Sequence, residues 1–167
     1  MKQRGALLLL GAVLYGCADS AAPAAGMFRA QLTGARVGTL SGPANAEQIF
    51  TEEFPELQFA IRMHAQRGDT IQALVIRCQG DQPPASGDYA LDPSGENCIG
   101  SYSRMASTVE GGTIPLETAA AASGILTIGP SQPGQTVGTF TFSGALIVDS
   151  DSVGTLEASG TFSADLL

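Results

Sequence analysis

The sequence predicts an all-β protein, and three observations carry that prediction. Runs of alternation between apolar and polar residues recur along the chain, most plainly at Phe28–Leu32, Glu56–His64 and Leu156–Leu166. Glycine (21 residues) and proline (9 residues) interrupt these runs at short intervals, as turns between strands require. Threonine, serine, valine and phenylalanine are plentiful, while the 3.6-residue period of an amphipathic helix is nearly missing. Once the N-terminal segment and a tether are set aside, about 140 residues remain, enough for one ordinary core and not two. The expected architecture is a single antiparallel β-sandwich of about eight or nine strands, with a meander-type β-barrel as the alternative.

Taken in order, residues 18–26 (ADSAAPAAG) cannot bury enough apolar surface to order themselves and read as a tether. The first strand follows at once, with Phe28, Ala30 and Leu32 facing one way and Arg29, Gln31 and Thr33 the other. Gly34 turns the chain into a strand at Arg36–Ser41, which SGPAN (41–45) is expected to break. AEQIFTEEF (46–54) reads as either one helical turn or an irregular loop. In Glu56–His64, Leu57, Phe59, Ile61 and Met63 face inward, and Glu56, Gln58, Arg62 and His64 outward. QRGD (66–69) is a turn. Thr70–Cys78 is apolar at Leu74, Val75 and Ile76, on both faces, which predicts a central place in the sheet. QGDQPPASG is a loop, Asp88–Leu91 a short strand, DPSGEN a turn, and Cys98–Met105 a strand carrying Tyr102. Residues 106–122 stay unassigned, because ETAAAA has helical propensity but is too short to rely on. Gly124–Ile128 is another short strand.

The C-terminal part reads as one long antiparallel hairpin. Gly138–Val148 places Phe140, Phe142, Leu146 and Val148 on one face, and DSDS (149–152) turns the chain. The last strand then points Leu156, Ala158, Phe162, Ala164 and Leu166 inward, and Thr155, Glu157, Ser159, Thr161, Ser163 and Asp165 outward. Gly138-Thr139-Phe140 is echoed by Gly160-Thr161-Phe162, which reads as two strands in similar surroundings and not as a repeat architecture.

Ahead of the domain, Lys2 and Arg4 precede an apolar run from Ala6 to Tyr15. That run has the length of an export-signal core and is too short for a bilayer-spanning helix, which takes about 20 residues. Leu14-Tyr15-Gly16-Cys17 resembles the lipobox of bacterial lipoproteins. The resemblance implies a diacylglyceryl group on the Cys17 thiol, cleavage before Cys17, and a mature chain that begins there. It also implies transfer to the outer membrane in cells that have one, since Ala18 and not an aspartate follows the cysteine. Two or three acyl chains, at about 0.8 kcal/mol per buried methylene, hold a protein stably where one does not. The alternative is an ordinary secretory signal cut a few residues later. The expected organisation is a signal peptide at 1–16, a lipidated cysteine and tether at 17–26, and an all-β domain at 27–167.

Removing the signal takes away Lys2 and Arg4, so the formal charge moves from −8 to −10. The remaining cations are arginines at 29, 36, 62, 67, 77 and 104. Such an acidic domain repels nucleic acid and anionic headgroups, which excludes both as charge-driven partners. With Cys17 lipidated, Cys78 and Cys98 are left, twenty positions apart and each beside an expected strand. In an oxidising compartment they read as one disulfide, with two unpaired buried thiols as the alternative.

Phe28 to Gly34 reads Phe-x-Ala-x-Leu-x-Gly, Gly87 to Leu91 reads Gly-x-Tyr-x-Leu, and two Gly-Thr-Phe strands close the chain. This order resembles a family of uncharacterised bacterial lipoproteins over most of residues 27–167. The resemblance implies the β fold and brings no catalytic residues with it.

No constellation in the chain points to a catalytic, cofactor or metal site. His64 is the sole histidine and falls on the outward phase of its strand, so a Ser–His–Asp triad has little to build on. GTLSG, around Ser41, lacks the spacing of a nucleophile elbow. Asp149-Ser150-Asp151-Ser152-Val153-Gly154 opens like an EF-hand loop, but Val153 stands at position 5 and Gly160 at position 12. It reads as a hairpin turn, with weak calcium binding as a minor alternative. Glu52, Glu53 and Glu56 form an acidic group that resembles a hydrolase carboxylate pair only loosely.

The functional expectation is a lipid-anchored extracytoplasmic β domain, a non-enzymatic interaction or structural module of the bacterial envelope. Its partners are the membrane, through the lipid on Cys17, and an unidentified envelope protein or ligand, with no cofactor. A carrier of small apolar ligands is the alternative, with Phe28, Phe59, Phe140, Phe142 and Phe162 lining a barrel pocket. A hydrolase using a carboxylate pair comes third.

Overall fold

The alternating runs become strands in a computed structural model that describes residues 22–51, 54–94, 98–108, 111–130 and 132–167. In chain order these are β1 (Met27–Gly34), β2 (Gly38–Thr51), β3 (Phe54–Arg67), β4 (Thr70–Gln79), β5 (Gly87–Ala90), β6 (Cys98–Ser107), β7 (Thr113–Ala120), β8 (Ser123–Ile128), β9 (Gln135–Val148) and β10 (Asp151–Leu166). All ten belong to one sheet. Strand pairing is antiparallel except where β10 runs past the start of β1 and meets β2 in parallel at Asp165–Asn45 and Leu166–Ala46.

The pairings return to where they began. From β1 they pass through β2, β3, β4, β6, β7, β9 and β10, and β10 pairs with β1 again. The sheet is thus closed in a barrel-like way, and inward side chains from every strand of this circuit meet in a single buried cluster. β5 and β8 fill the space between β6 and β9. β8 pairs with β9, β5 pairs with β8, and Leu91 bridges to Cys98. β7 and β8 behave as one bent strand. The Ala121 amide donates to the Gly100 carbonyl in β6, and the Ala122 amide to the Ser143 carbonyl in β9. The direct β7–β9 ladder pairing is one residue pair, Thr118–Ile147.

Two strands change partner along their length, and a glycine marks each change. β2 pairs with β1 through Pro43 and with β3 from Ala44 onward. A Cβ on Gly42 would stand 2.1 Å from the His64 carbonyl oxygen. β9 passes from β8 to β7 around Gly144, where a Cβ would stand 2.0 Å from the Ala120 oxygen. Only glycine permits backbones this close.

Several expectations need correction. SGPAN does not break the strand, and β2 runs through it. The Ala44 amide bonds to Gly26 on the β1 side, so the missing N–H of Pro43 faces β3, where pairing has not yet started. AEQIFTEEF holds neither a helical turn nor a separate loop up to Thr51, being the second half of β2. The unassigned stretch contains β7, a strand not assigned from the sequence. Its alanines serve close packing, since Ala119 and Ala121 are buried and Ala120 crosses Gly144. Ser163, expected outside, is buried against Gln135, and Leu166, expected inside, emerges at the strand end.

The Gly-Thr-Phe echo has a packing explanation. In the β9–β10 ladder Gly138 faces Phe162, Thr139 faces Thr161, and Phe140 faces Gly160. A Cβ on Gly138 would lie 2.9 Å from the Phe162 ring, and one on Gly160 would lie 2.9 Å from the Phe140 ring. Each phenylalanine therefore covers the glycine opposite it.

Cys78 and Cys98 are directly opposed in the β4–β6 register and form a disulfide, with Cα atoms 4.1 Å apart. Both are buried. They mark one end of the sheet, which also holds the start of β1 and the end of β10 and is called the tether end below. The β1–β2, β3–β4, β6–β7 and β9–β10 connections share the other, the hairpin end. There Asp149 (φ 49°) and Ser150 (φ 74°) make a tight two-residue turn of the kind that suits the twist of a hairpin.

Candidate functional site

Inward positions are apolar through most of the closed sheet and become polar toward the hairpin end. On β6 the inward phase runs Cys98, Gly100, Tyr102, and its next member is Arg104. On β4 it runs back from Cys78, Ile76 and Leu74 to Gln72, and on β7 Glu117 precedes buried Ala119. Register places Gln72 opposite Arg104 and Arg104 opposite Glu117, so the three form a row across β4, β6 and β7.

Arg36, in the β1–β2 turn, closes this row from the far side. Its Nη2 lies 3.1 Å from Glu117 Oε1, the same oxygen that Arg104 Nη2 reaches at 2.6 Å. Glu117 is only 8% exposed, so the carboxylate is withdrawn from water and held by two guanidinium groups. Its Oε2 and the Arg104 Nε have no hydrogen-bond partner among the described residues. The Tyr102 hydroxyl, close to Arg36, donates to Gln72 Oε1 at 3.0 Å. Burial raises the Tyr102 pKa above the ordinary tyrosine value, against the opposing pull of Arg36. The hydrogen bond to Glu117 raises the Arg104 pKa, while burial works the other way.

This cluster joins the β1–β2 hairpin to β6 and β7 across the open end of the sheet. Glu117→Gln keeps the shape and removes the charge that both arginines share. The arginine side chains are 34% and 25% exposed, so water screens part of the loss. We expect a destabilisation of about 1–2 kcal/mol, between the values for an exposed and a fully buried pair, read as a lower urea midpoint at unchanged slope.

Of the residues singled out in the sequence, Cys17 and the export signal lie outside the described residues, as do Glu52, Glu53 and the side chains of Glu56 and Leu57. His64 is half-buried on β3, and its charged neighbours are Arg62 and Glu47. Desolvation by burial lowers its pKa below the usual histidine value, Arg62 adds to this, and Glu47 opposes it. Phe28, Phe59, Phe140, Phe142 and Phe162 are all buried in the one core cluster. Among the described residues, no three His, Cys, Asp or Glu side chains group as a metal site. Nor is any helix long and apolar enough to cross a membrane.

The polar row was not singled out in the sequence. Arg104 was readable, because alternation from Cys98 continues through Tyr102 to place it inward. Glu117 lay in the unassigned stretch, and Arg36, expected at the start of a strand, sits in the β1–β2 turn because β2 begins only at Gly38. Comparison of the chain with known protein families, curated proteins and solved structures found no match.

Proposed function

We propose that this chain is a lipid-anchored β domain of the bacterial envelope, a non-enzymatic interaction module held outside the cytoplasm with its hairpin end turned away from the membrane. The observation that carries this reading is the export signal ending at Cys17, ten positions ahead of Met27. Nine residues separate Cys17 from Met27, so even at full extension the tether end of the domain would stay within about 35 Å of the bilayer.

Further features fit. Met27, Phe50, Leu166 and Leu167 are exposed apolar residues at the tether end, where a lipid surface would meet them. The disulfide suits an oxidising compartment. Burial of the five phenylalanines in one core favours a filled interior over a carrier's pocket. The absence of an aspartate after Cys17 favours the outer membrane where the cell has one.

The test is labelled-palmitate incorporation with membrane fractionation in bacterial cells expressing the full chain. The wild type is expected to take up label and sediment with membranes, and Cys17→Ala to lose the label and appear in the soluble fraction. Persistent label or membrane association in Cys17→Ala would overturn the anchor.

A further inference from the structure

We propose that the hairpin end holds an oxyanion site, formed by Arg36, Arg67 and the Gln72 amide, which takes a carboxylate or phosphate group. The inference does not depend on the lipid anchor. It begins with a parting of strands: toward the hairpin end, β2–β3 pairing stops at Ala44–Met63. Beyond that point the Arg67 side chain spans the gap, its Nη2 donating to the Thr39 carbonyl at 2.8 Å. The space between forms a cleft of about 200 Å³, with Arg36, Thr39, Arg67 and Gln72 on its walls above buried Leu32 and Leu40.

The hydrogen-bond chain beneath the cleft decides which way Gln72 faces. The Tyr102 hydroxyl donates to Gln72 Oε1 at 3.0 Å. The Gln72 oxygen is thereby occupied, and its NH2 group remains to donate. Two guanidinium groups and this amide thus present donors to one small cleft.

Charge points the same way. Arg36 shares the single Glu117 carboxylate with Arg104, and Arg67 has only the neutral Thr39 carbonyl as a partner among the described residues. Asp69, in the β3–β4 turn, is exposed and does not line the cleft. A local excess of positive charge therefore stands in a domain that is acidic overall. A guanidinium fork matches a two-oxygen anion and has no such match for a spherical one.

The experiment uses the full chain in detergent micelles, titrated at constant ionic strength with sodium acetate, inorganic phosphate or sodium chloride. Side-chain nitrogen–proton NMR signals of Gln72 and the arginines report occupancy. Acetate or phosphate is expected to move the Gln72 amide and Arg67 Nε signals saturably while chloride leaves them in place. The tighter of the two anions identifies the group that the site prefers. Arg67 is exposed and outside the core, so Arg67→Gln should retain the folded spectrum and bind about tenfold more weakly, the loss expected for one charge-assisted contact. Gln72→Glu should abolish saturable binding. Chloride shifting the same signals equally, or Arg67→Gln binding as the wild type does, would overturn the site.

Discussion

Phe162→Ala is expected to lower stability by about 3–5 kcal/mol, the largest effect of any single truncation in this core. Phe162 is fully buried and stands in a row between Phe28 of β1 and Gly138 of β9. Its ring joins the two neighbouring strands at the place where the β10 ladder is longest, so its removal opens a void that backbone pairing prevents from collapsing. Filling that void from the glycine side should fail. A Cβ on Gly138 would meet the Thr127 carbonyl oxygen at 2.3 Å whether or not the ring is present. The double variant Phe162→Ala, Gly138→Ala is therefore expected to be less stable than Phe162→Ala alone. Urea unfolding followed by circular dichroism measures both; a loss below about 1 kcal/mol for Phe162→Ala would contradict the packing described.

Removing the disulfide, by Cys78→Ala with Cys98→Ala, is expected to cost about 3 kcal/mol through loss of loop constraint in the unfolded chain. For a domain of this size that corresponds to a melting temperature roughly 10 °C lower. The bridge encloses β5, which among the described residues pairs with β8 alone and, through Leu91, touches β6. β5 should accordingly lose amide protection before the rest of the sheet. Both sulfurs are buried, so reductant alone should leave the folded protein oxidised, and reductant with denaturant should reach the lower curve. Melts that coincide for the wild type and the double variant would show that the bridge constrains nothing.

The fold was legible wherever one face of a strand is buried and the other wet. Phe28–Leu32 and Leu156–Phe162 announce their phase and lie as it requires; in Phe59–Met63 the inward phase holds, but Ala60 on the outward phase is buried as well. Legibility failed where a strand changes partner. Proline and glycine in β2 read as a break because one residue's missing N–H cannot be assigned to a side of the strand from sequence. The alanines of β7 read as weak helix because their role, to let β7 cross Gly144 closely, depends on a strand more than twenty residues away. The polar row failed for a different reason. Gln72, Arg104 and Glu117 come from three strands, and only the register brings them abreast.

The single residue pair that closes β7 onto β9 leaves the first half of β7 with an open side. An open strand side is a template on which another chain can add itself. Three features of this half-strand oppose such addition. Pro115 removes a backbone donor, the register shift between Arg104 and Met105 interrupts the flat ladder, and Glu117 turns a charge inward beside the gap. The carboxylate that ties the arginines together thus also helps to keep neighbouring molecules from growing into one sheet.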